Sequence, residues 1–195
     1  NPIHNGHLEI AERARKQFQL DQVFFVPTAI PPHKPAASLA PKTHRYRMVQ
    51  LAIHSYSHFK LSRSEMKGNK ASYAIDTLHA FKKRYGKTCK FYYLLGLDAA
   101  CELLTWKQPE QLLASCEFIL VHRRGSALSA FHAVLRKGNL FHYQNHVHPL
   151  SVTIPISASH IRQAIQSGKN WERNVPASVV KYIKQHKLYA SDPKF

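Results

Sequence analysis

Lys90-Phe91-Tyr92-Tyr93-Leu94-Leu95-Gly96-Leu97-Asp98 decides the fold. The run Phe91 to Leu95 has no polar face, so it predicts a strand over Lys90 to Leu95 that is covered on both sides. Gly96 ends that strand, and a short helix around Ala99 follows. Burial on both faces is the condition of a parallel sheet, and outward from this point the same alternation repeats. Toward the N-terminus the pattern predicts a helix from Ser72 to Tyr85, with Ser72 as N-cap and Gly86 as C-cap. Before it come a strand Phe59 to Ser62, a helix Thr43 to Ser57 and a strand Gln22 to Val26 closed by Pro27. The first helix runs from Gly6 to Gln19, with Leu8, Ala11, Ala14 and Phe18 on one face. Toward the C-terminus there follow a helix around Glu110, a strand Glu117 to Val121, a helix Ser126 to Arg136, an irregular stretch Gly138 to His148 and a last strand Val147 to Leu150. Helices Ser159 to Ser167, capped by Gly168, and Pro176 to His186 close the chain. This is the α/β class, read as a doubly wound parallel sheet with helices on both faces and a helical C-terminal part, roughly 157–190. Such a sheet should open with a strand, so a first strand and its loop are expected ahead of Asn1.

The 195 residues suit one domain with a sizeable core, 1–195, and show no internal repeat, low-complexity tract or linker. Apolar residues are 44% and charged residues 20%, the balance of a folded globular chain. No apolar run reaches membrane-span length, and no apolar leader segment opens the sequence. Cys89, Cys101 and Cys116 are odd in number and form no CxxC pair, which fits a reducing cytoplasm. The formal net charge of +17 implies anionic partners. The basic residues are dispersed, without a lysine-arginine block or a nucleic-acid-binding motif. Nucleic acid is therefore disfavoured, and a polyphosphate substrate explains only part of the excess.

Two constellations carry chemistry. His4-Asn5-Gly6-His7 opens the first helix. A helix start offers unpaired N–H groups and partial positive charge to phosphate, Gly6 lets a phosphate approach the backbone, and His4 and His7 can donate to one polyphosphate. Read blandly, it is a surface loop with two histidines. Ile156-Ser157-Ala158-Ser159-His160-Ile161-Arg162 opens a second such helix. There Ser157 and Ser159 can cap or donate, and Arg162, one turn in, can clamp phosphate oxygens; the bland alternative is an N-cap followed by an exposed arginine. Asp98 stands where a parallel strand ends, suited to a ribose hydroxyl or to capping the next helix. His142, His146 and His148 lack carboxylates or cysteines at ligand spacing and read as a polar loop.

Together, HxGH near the start and ISxSxxR near the end resemble the paired signatures of the nucleotidylyltransferase superfamily, which has a Rossmann-like fold. Phe25-Val26-Pro27 with Pro31-Pro32-His33-Lys34 then resembles the nicotinate mononucleotide adenylyltransferases. So do Ser72-Tyr73-Ala74-Ile75-Asp76-Thr77, Leu95-Gly96-Leu97-Asp98, Thr105-Trp106, and the end from Val175-Pro176 through Tyr182-Ile183 to Leu188-Tyr189. The likeness covers nearly the whole chain in order. It departs at Ala74, where the family has threonine, and at the absent glycine-rich strand end ahead of Asn1-Pro2.

The resemblance implies transfer of AMP from ATP to nicotinate mononucleotide, giving deamido-NAD and pyrophosphate, in NAD biosynthesis. It implies that His4, His7 and Arg162 are catalytic. ATP would lie against His4, Gly6, His7, Gly96, Asp98, Ile156, Ser157, Ser159 and Arg162. The mononucleotide would meet His33, Lys34, Ser72, Tyr73, Trp106 and Arg123, with Trp106 stacked on the pyridine ring. Mg2+ would arrive with ATP, held by substrate and water rather than by a protein cage. The loop Pro31 to Pro41 is expected to be mobile and to order over the mononucleotide. The alternatives are another adenylyltransferase of the superfamily, acting on nicotinamide mononucleotide or phosphopantetheine, and a non-enzymatic nucleic-acid-binding protein. Oligomeric state, monomer or homodimer, stays open.

Overall fold

The computed structural model describes residues 1–30, 39–66, 71–86, 88–123 and 128–190. In chain order they form α1 (Asn5–Gln17), β1 (Val23–Phe25), α2 (Lys42–Ile53), β2 (Phe59–Leu61), α3 (Ala74–Tyr85), β3 (Tyr92–Gly96), α4 (Leu97–Cys101), α5 (Pro109–Ser115), β4 (Glu117–Arg123), α6 (Ser129–Lys137), β5 (Val147–Val152), α7 (Ala158–Gln166) and α8 (Ala177–Gln185). The chain divides into two compact units. The first joins Asn1–Lys70 with Ile154–Phe195, and the second is Ala71–Thr153.

In the first unit β1 and β2 pair in parallel, Val23 against Phe59 and Phe25 against Leu61. A parallel pair needs a crossover, and α2 supplies it. α1 buries Leu8, Ala11 and Ala14, three of the four residues on its predicted face. Leu8 and Ala11 meet Met48 and Ala52 of α2, Ile161 of α7, and Val179 and Ile183 of α8 in one apolar cluster. The C-terminal helices are thus part of this core. Each fully buried Leu, Ile or Met there contributes about 1.5–3 kcal/mol relative to exposure.

In the second unit the strand order is β3-β4-β5, all parallel. The stretch with no polar face belongs to β3, yet of its residues only Leu95 is buried. Continuous burial falls instead on Phe118, Ile119 and Leu120 of β4, each fully buried. The reason is position: β4 is the middle strand of this sheet and β3 an edge. Ile75, Leu103, Leu112, Leu113, Phe131 and Leu135 complete the core.

Several sequence expectations change, among them the end of α2, at Ile53 rather than Ser57, and that of β4, at Arg123 rather than Val121. α3 begins at Ala74, and the residue at its N-cap is Tyr73 rather than Ser72. β5 extends to Val152, two residues beyond its predicted end. Part of the irregular stretch, Phe141–His146, is a 3-10 helix. No helix among the described residues is long and apolar enough to cross a membrane.

Candidate active site

The HxGH segment is built as a helix start, with His4 as N-cap and His7 three residues on. His4 is only 6% exposed, and burial pushes its pKa down to about 4. It is therefore neutral at pH 7. Its Nδ1 is buried without a hydrogen-bond partner. His7 is exposed, and its Nδ1 accepts from the His4 backbone N–H at 3.2 Å. That bond settles the neutral tautomer: with Nδ1 accepting, the ring proton is on Nε2, which makes the outer nitrogen a donor. The two rings lie 3.7 Å apart, centroid to centroid.

Gly6 has a packing reason beyond the one read from sequence. A β-carbon there would sit 2.9 Å from Ile154 Cγ2 and 3.0 Å from His4 Nδ1. The strand-to-helix loop that leads to α7 thus presses directly on the start of α1. Both phosphate-type helix starts, far apart in sequence, meet in the first unit.

At α7, Ser157 is the N-cap, and its Oγ accepts from the His160 N–H at 3.2 Å. Ser159 Oγ accepts from Arg162 at 3.4 Å. The Arg162 guanidinium also donates to the Asn1 carbonyl at 2.7 Å. Asn1 in turn accepts, through its side-chain oxygen, from the Tyr189 hydroxyl. The Tyr189 hydroxyl is buried, which raises its pKa. Arg162 is thus held at the base of α1, not left as a solvated charge. Ile156, the first residue of the motif, packs against the apolar cluster of this unit.

In the second unit, Gly96 is the N-cap of α4, and Asp98 follows in its first turn, exposed. Asp98 is not the cap, so its carboxylate is left to face solvent at the C-terminal end of β3. Trp106 is half-buried, edge-on to Tyr93 at 5.9 Å, and its Nε1 is buried without a partner. Tyr73, 38% exposed, stands at the start of α3 and makes no capping side-chain bond there. Arg123 ends β4. His33 and Lys34 lie outside the described residues, as does most of the loop expected to be mobile.

Two arrangements were not legible from spacing. Lys107 Nζ donates to both carboxylate oxygens of Asp76, at 2.9 Å each, and lies 5.0 Å from the Tyr73 ring centre. These residues are 31 positions apart, so no local pattern announces the pair. The Arg45 guanidinium donates to the carbonyls of Thr28, Ala29 and Ala40 and so ties both feet of the proline-rich segment. The three histidines expected in a polar loop lie instead in the 3-10 helix, His142 and His146, and in β5, His148. His146 meets the Leu113 carbonyl and the Tyr143 ring, His148 meets Glu117 at 2.6 Å, and His142 meets the Tyr143 ring. Glu117 is the carboxylate that sequence spacing did not bring near. Among the described residues no three His, Cys, Asp or Glu converge as metal ligands. A cavity of about 600 Å³ in the second unit, lined by Leu104, Gln108, Glu110 and Tyr143 among others, holds none of the predicted site residues.

The cytidylyltransferase-like family model matches residues 1–164. A probable nicotinate-nucleotide adenylyltransferase of Thermoanaerobacter sp. is 37% identical over 193 residues, 98% of this chain and 91% of that protein. One of Synechococcus sp. is 38% identical over 191 residues, 97% of this chain and 92% of that protein. Among solved structures, a Plasmodium falciparum nicotinic acid mononucleotide adenylyltransferase complexed with NaAD aligns with a TM-score of 0.72. The alignment covers 96% of this chain and 92% of that one. At 19% identity that likeness speaks for the fold alone.

Proposed function

Because this chain belongs to the cytidylyltransferase-like family and, within it, to the nicotinate-nucleotide adenylyltransferases, we propose that it transfers the adenylyl group of ATP to nicotinate mononucleotide. The products are deamido-NAD and pyrophosphate, a step of NAD biosynthesis. The observation that carries the site assignment is the meeting of the α1 and α7 starts at Gly6 and Ile154, with Arg162 fixed beside them.

The 5′-phosphate oxygen of the mononucleotide attacks the α-phosphorus of ATP. An O–P bond forms, the bond from the α-phosphorus to the β-bridging oxygen breaks, and pyrophosphate takes the electron pair. A phosphate monoester with a second pKa of about 6 is largely ionised at pH 7, so no strong general base is needed. Catalysis is then positioning and charge stabilisation. His7 donates from Nε2 to the charge that develops on the transferring phosphate. His4, kept neutral by burial, holds the α1 start and His7 in place and adds a second ring nitrogen. Ser157, Ser159 and Arg162 hold the β- and γ-phosphates. Gly96 and Asp98 receive the adenosine end, with the carboxylate on ribose hydroxyls. Trp106 stacks on the pyridine ring, and Ser72, Tyr73, Arg123, His33 and Lys34 serve the mononucleotide. The donor set at α1 and α7 is imidazole, hydroxyl and guanidinium, which suits phosphate oxygens and not a cation. Mg2+ therefore belongs to the ATP that binds, neutralising part of its charge.

The whole chain acts as one catalytic domain. Its three free thiols support a reducing cytoplasm. Pyrophosphate release with ATP and, in turn, nicotinate mononucleotide, nicotinamide mononucleotide and phosphopantetheine tests the function. Turnover with the first above the other two is expected. Release with phosphopantetheine alone would move the chain to another branch of the superfamily.

A further inference from the structure

Lys107 neighbours Trp106 in sequence and is not among the residues that the chemistry above uses. It reaches back across the Tyr73 ring, 5.0 Å from its centre, to the first turn of α3, where it holds both oxygens of Asp76 at 2.9 Å. Both side chains are about half exposed. An ion pair this exposed adds little to stability, so folding is a poor reason for it. Its location gives a better one. Asp76 is the only acidic residue in the first turn of α3, and that helix start otherwise presents N–H groups and partial positive charge. An unpaired carboxylate there would repel an anion and cancel the helix-start attraction. Two N–H···O bonds from Lys107 occupy both of its oxygens and offset its charge.

We propose that Lys107 is a specificity-determining residue, which keeps the α3 start receptive to an anionic ring substituent by neutralising Asp76. The inference rests on the adenylyltransferase reading and on the pyridine ring lying at Trp106. The substrate it selects is a mononucleotide whose ring carries a carboxylate, over one whose ring carries a carboxamide. The amide is uncharged and hardly feels whether Asp76 is paired. Loss of Lys107 therefore lowers the acid rate selectively, and removing the Asp76 charge as well restores it.

The test compares the ratio of kcat/KM for nicotinate mononucleotide to that for nicotinamide mononucleotide in wild type, Lys107→Met, Asp76→Asn and the double variant. Methionine keeps much of the lysine stem, and both positions are exposed enough for the variants to fold. Lys107→Met should lower the acid-to-amide ratio by roughly three- to ten-fold. That is the change expected of a unit charge on the order of 7 Å from the substituent at an effective dielectric of about 80 at the lower end and about 35 at the upper. Asp76→Asn should leave the ratio unchanged or raise it, and the double variant should return it to within about two-fold of wild type. A ratio insensitive to Lys107→Met overturns the proposal. A double variant whose ratio stays as low as that of Lys107→Met also overturns it, because Lys107 would then act on the substrate directly and not through Asp76. If wild type turns over neither mononucleotide, the adenylyltransferase reading itself fails, and this inference falls with it.

Discussion

At the α1 and α7 starts, polar side chains are tied to the backbone. His7 accepts from the His4 amide, Ser157 accepts from the His160 amide, and Arg162 grips the Asn1 carbonyl. Around Trp106, polar side chains are tied to one another at the surface, Lys107 to Asp76 beside Tyr73. The first kind of arrangement is rigid, because moving a side chain means moving a helix. Its donors keep their aim without reorganisation as charge develops, which is what acceleration of a phosphoryl-type transfer requires. The second kind is soft and altered by one substitution, which is what discrimination between near-identical rings requires. The phosphate end should therefore show large effects on rate, and the ring end smaller effects on selectivity.

The most direct way to break this comparison is His7→Ala. Loss of one preorganised donor should lower kcat by ~10²–10³ while the KM for the mononucleotide moves little. Steady-state kinetics on a variant with wild-type circular dichroism decides it, and normal turnover would remove His7 from the mechanism.

Acid stability probes the same region next. The folded pKa of His4, about 4, lies below its ordinary 6.5, so between these values the unfolded chain binds the proton that the folded one refuses. Its contribution is present above pH 6.5 and is lost as pH falls toward 4, by about 3 kcal/mol in all. The paired carboxylates of Glu12 and Glu172 are held at about 2 and weaken the fold only at lower pH. Denaturant midpoints between pH 7 and 4.5 should fall steeply in wild type and more shallowly in His4→Gln. Parallel curves would show that His4 is not the titrating group.

Arg162→Ala comes third. A charge-assisted hydrogen bond is worth ~1.5–3 kcal/mol, so the KM for ATP should rise by roughly ten-fold or more, with slower turnover. An unchanged KM for ATP would leave Arg162 as only a tie to Asn1.

The smallest expected effect sharpens the ring end. Nicotinate mononucleotide should exceed the amide in kcat/KM by at least tenfold, equivalent to ~1.4 kcal/mol. In the proposed site, stacking on Trp106 would not separate the two rings. Donors at the α3 start can, because a carboxylate accepts from two of them, while a carboxamide must turn its NH₂ toward one. Equal rates would sink the acid preference and leave adenylyl transfer standing.

Local pattern determined much of this protein. Period and punctuation place every strand and nearly every helix end within a few residues, because a helix face such as Leu8-Ala11-Ala14 and a breaker such as Gly86 act over one or two turns. The two helix-start motifs proposed to bind phosphate are legible for the same reason: each is a cap, a small residue and a donor within seven positions. What lies across the chain was decided only by tertiary structure. Strand order made β4 the continuously buried strand and left β3, whose run Phe91 to Leu95 also lacks a polar face, at an edge of its sheet. Packing of Ile154 against Gly6 brought together two helix starts about 150 residues apart, with Arg162 on Asn1 and Tyr189 closing the same corner. The pairing of Lys107 with Asp76 across 31 residues has no local signature, since a surface charge finds its partner only when packed elements set the two side by side.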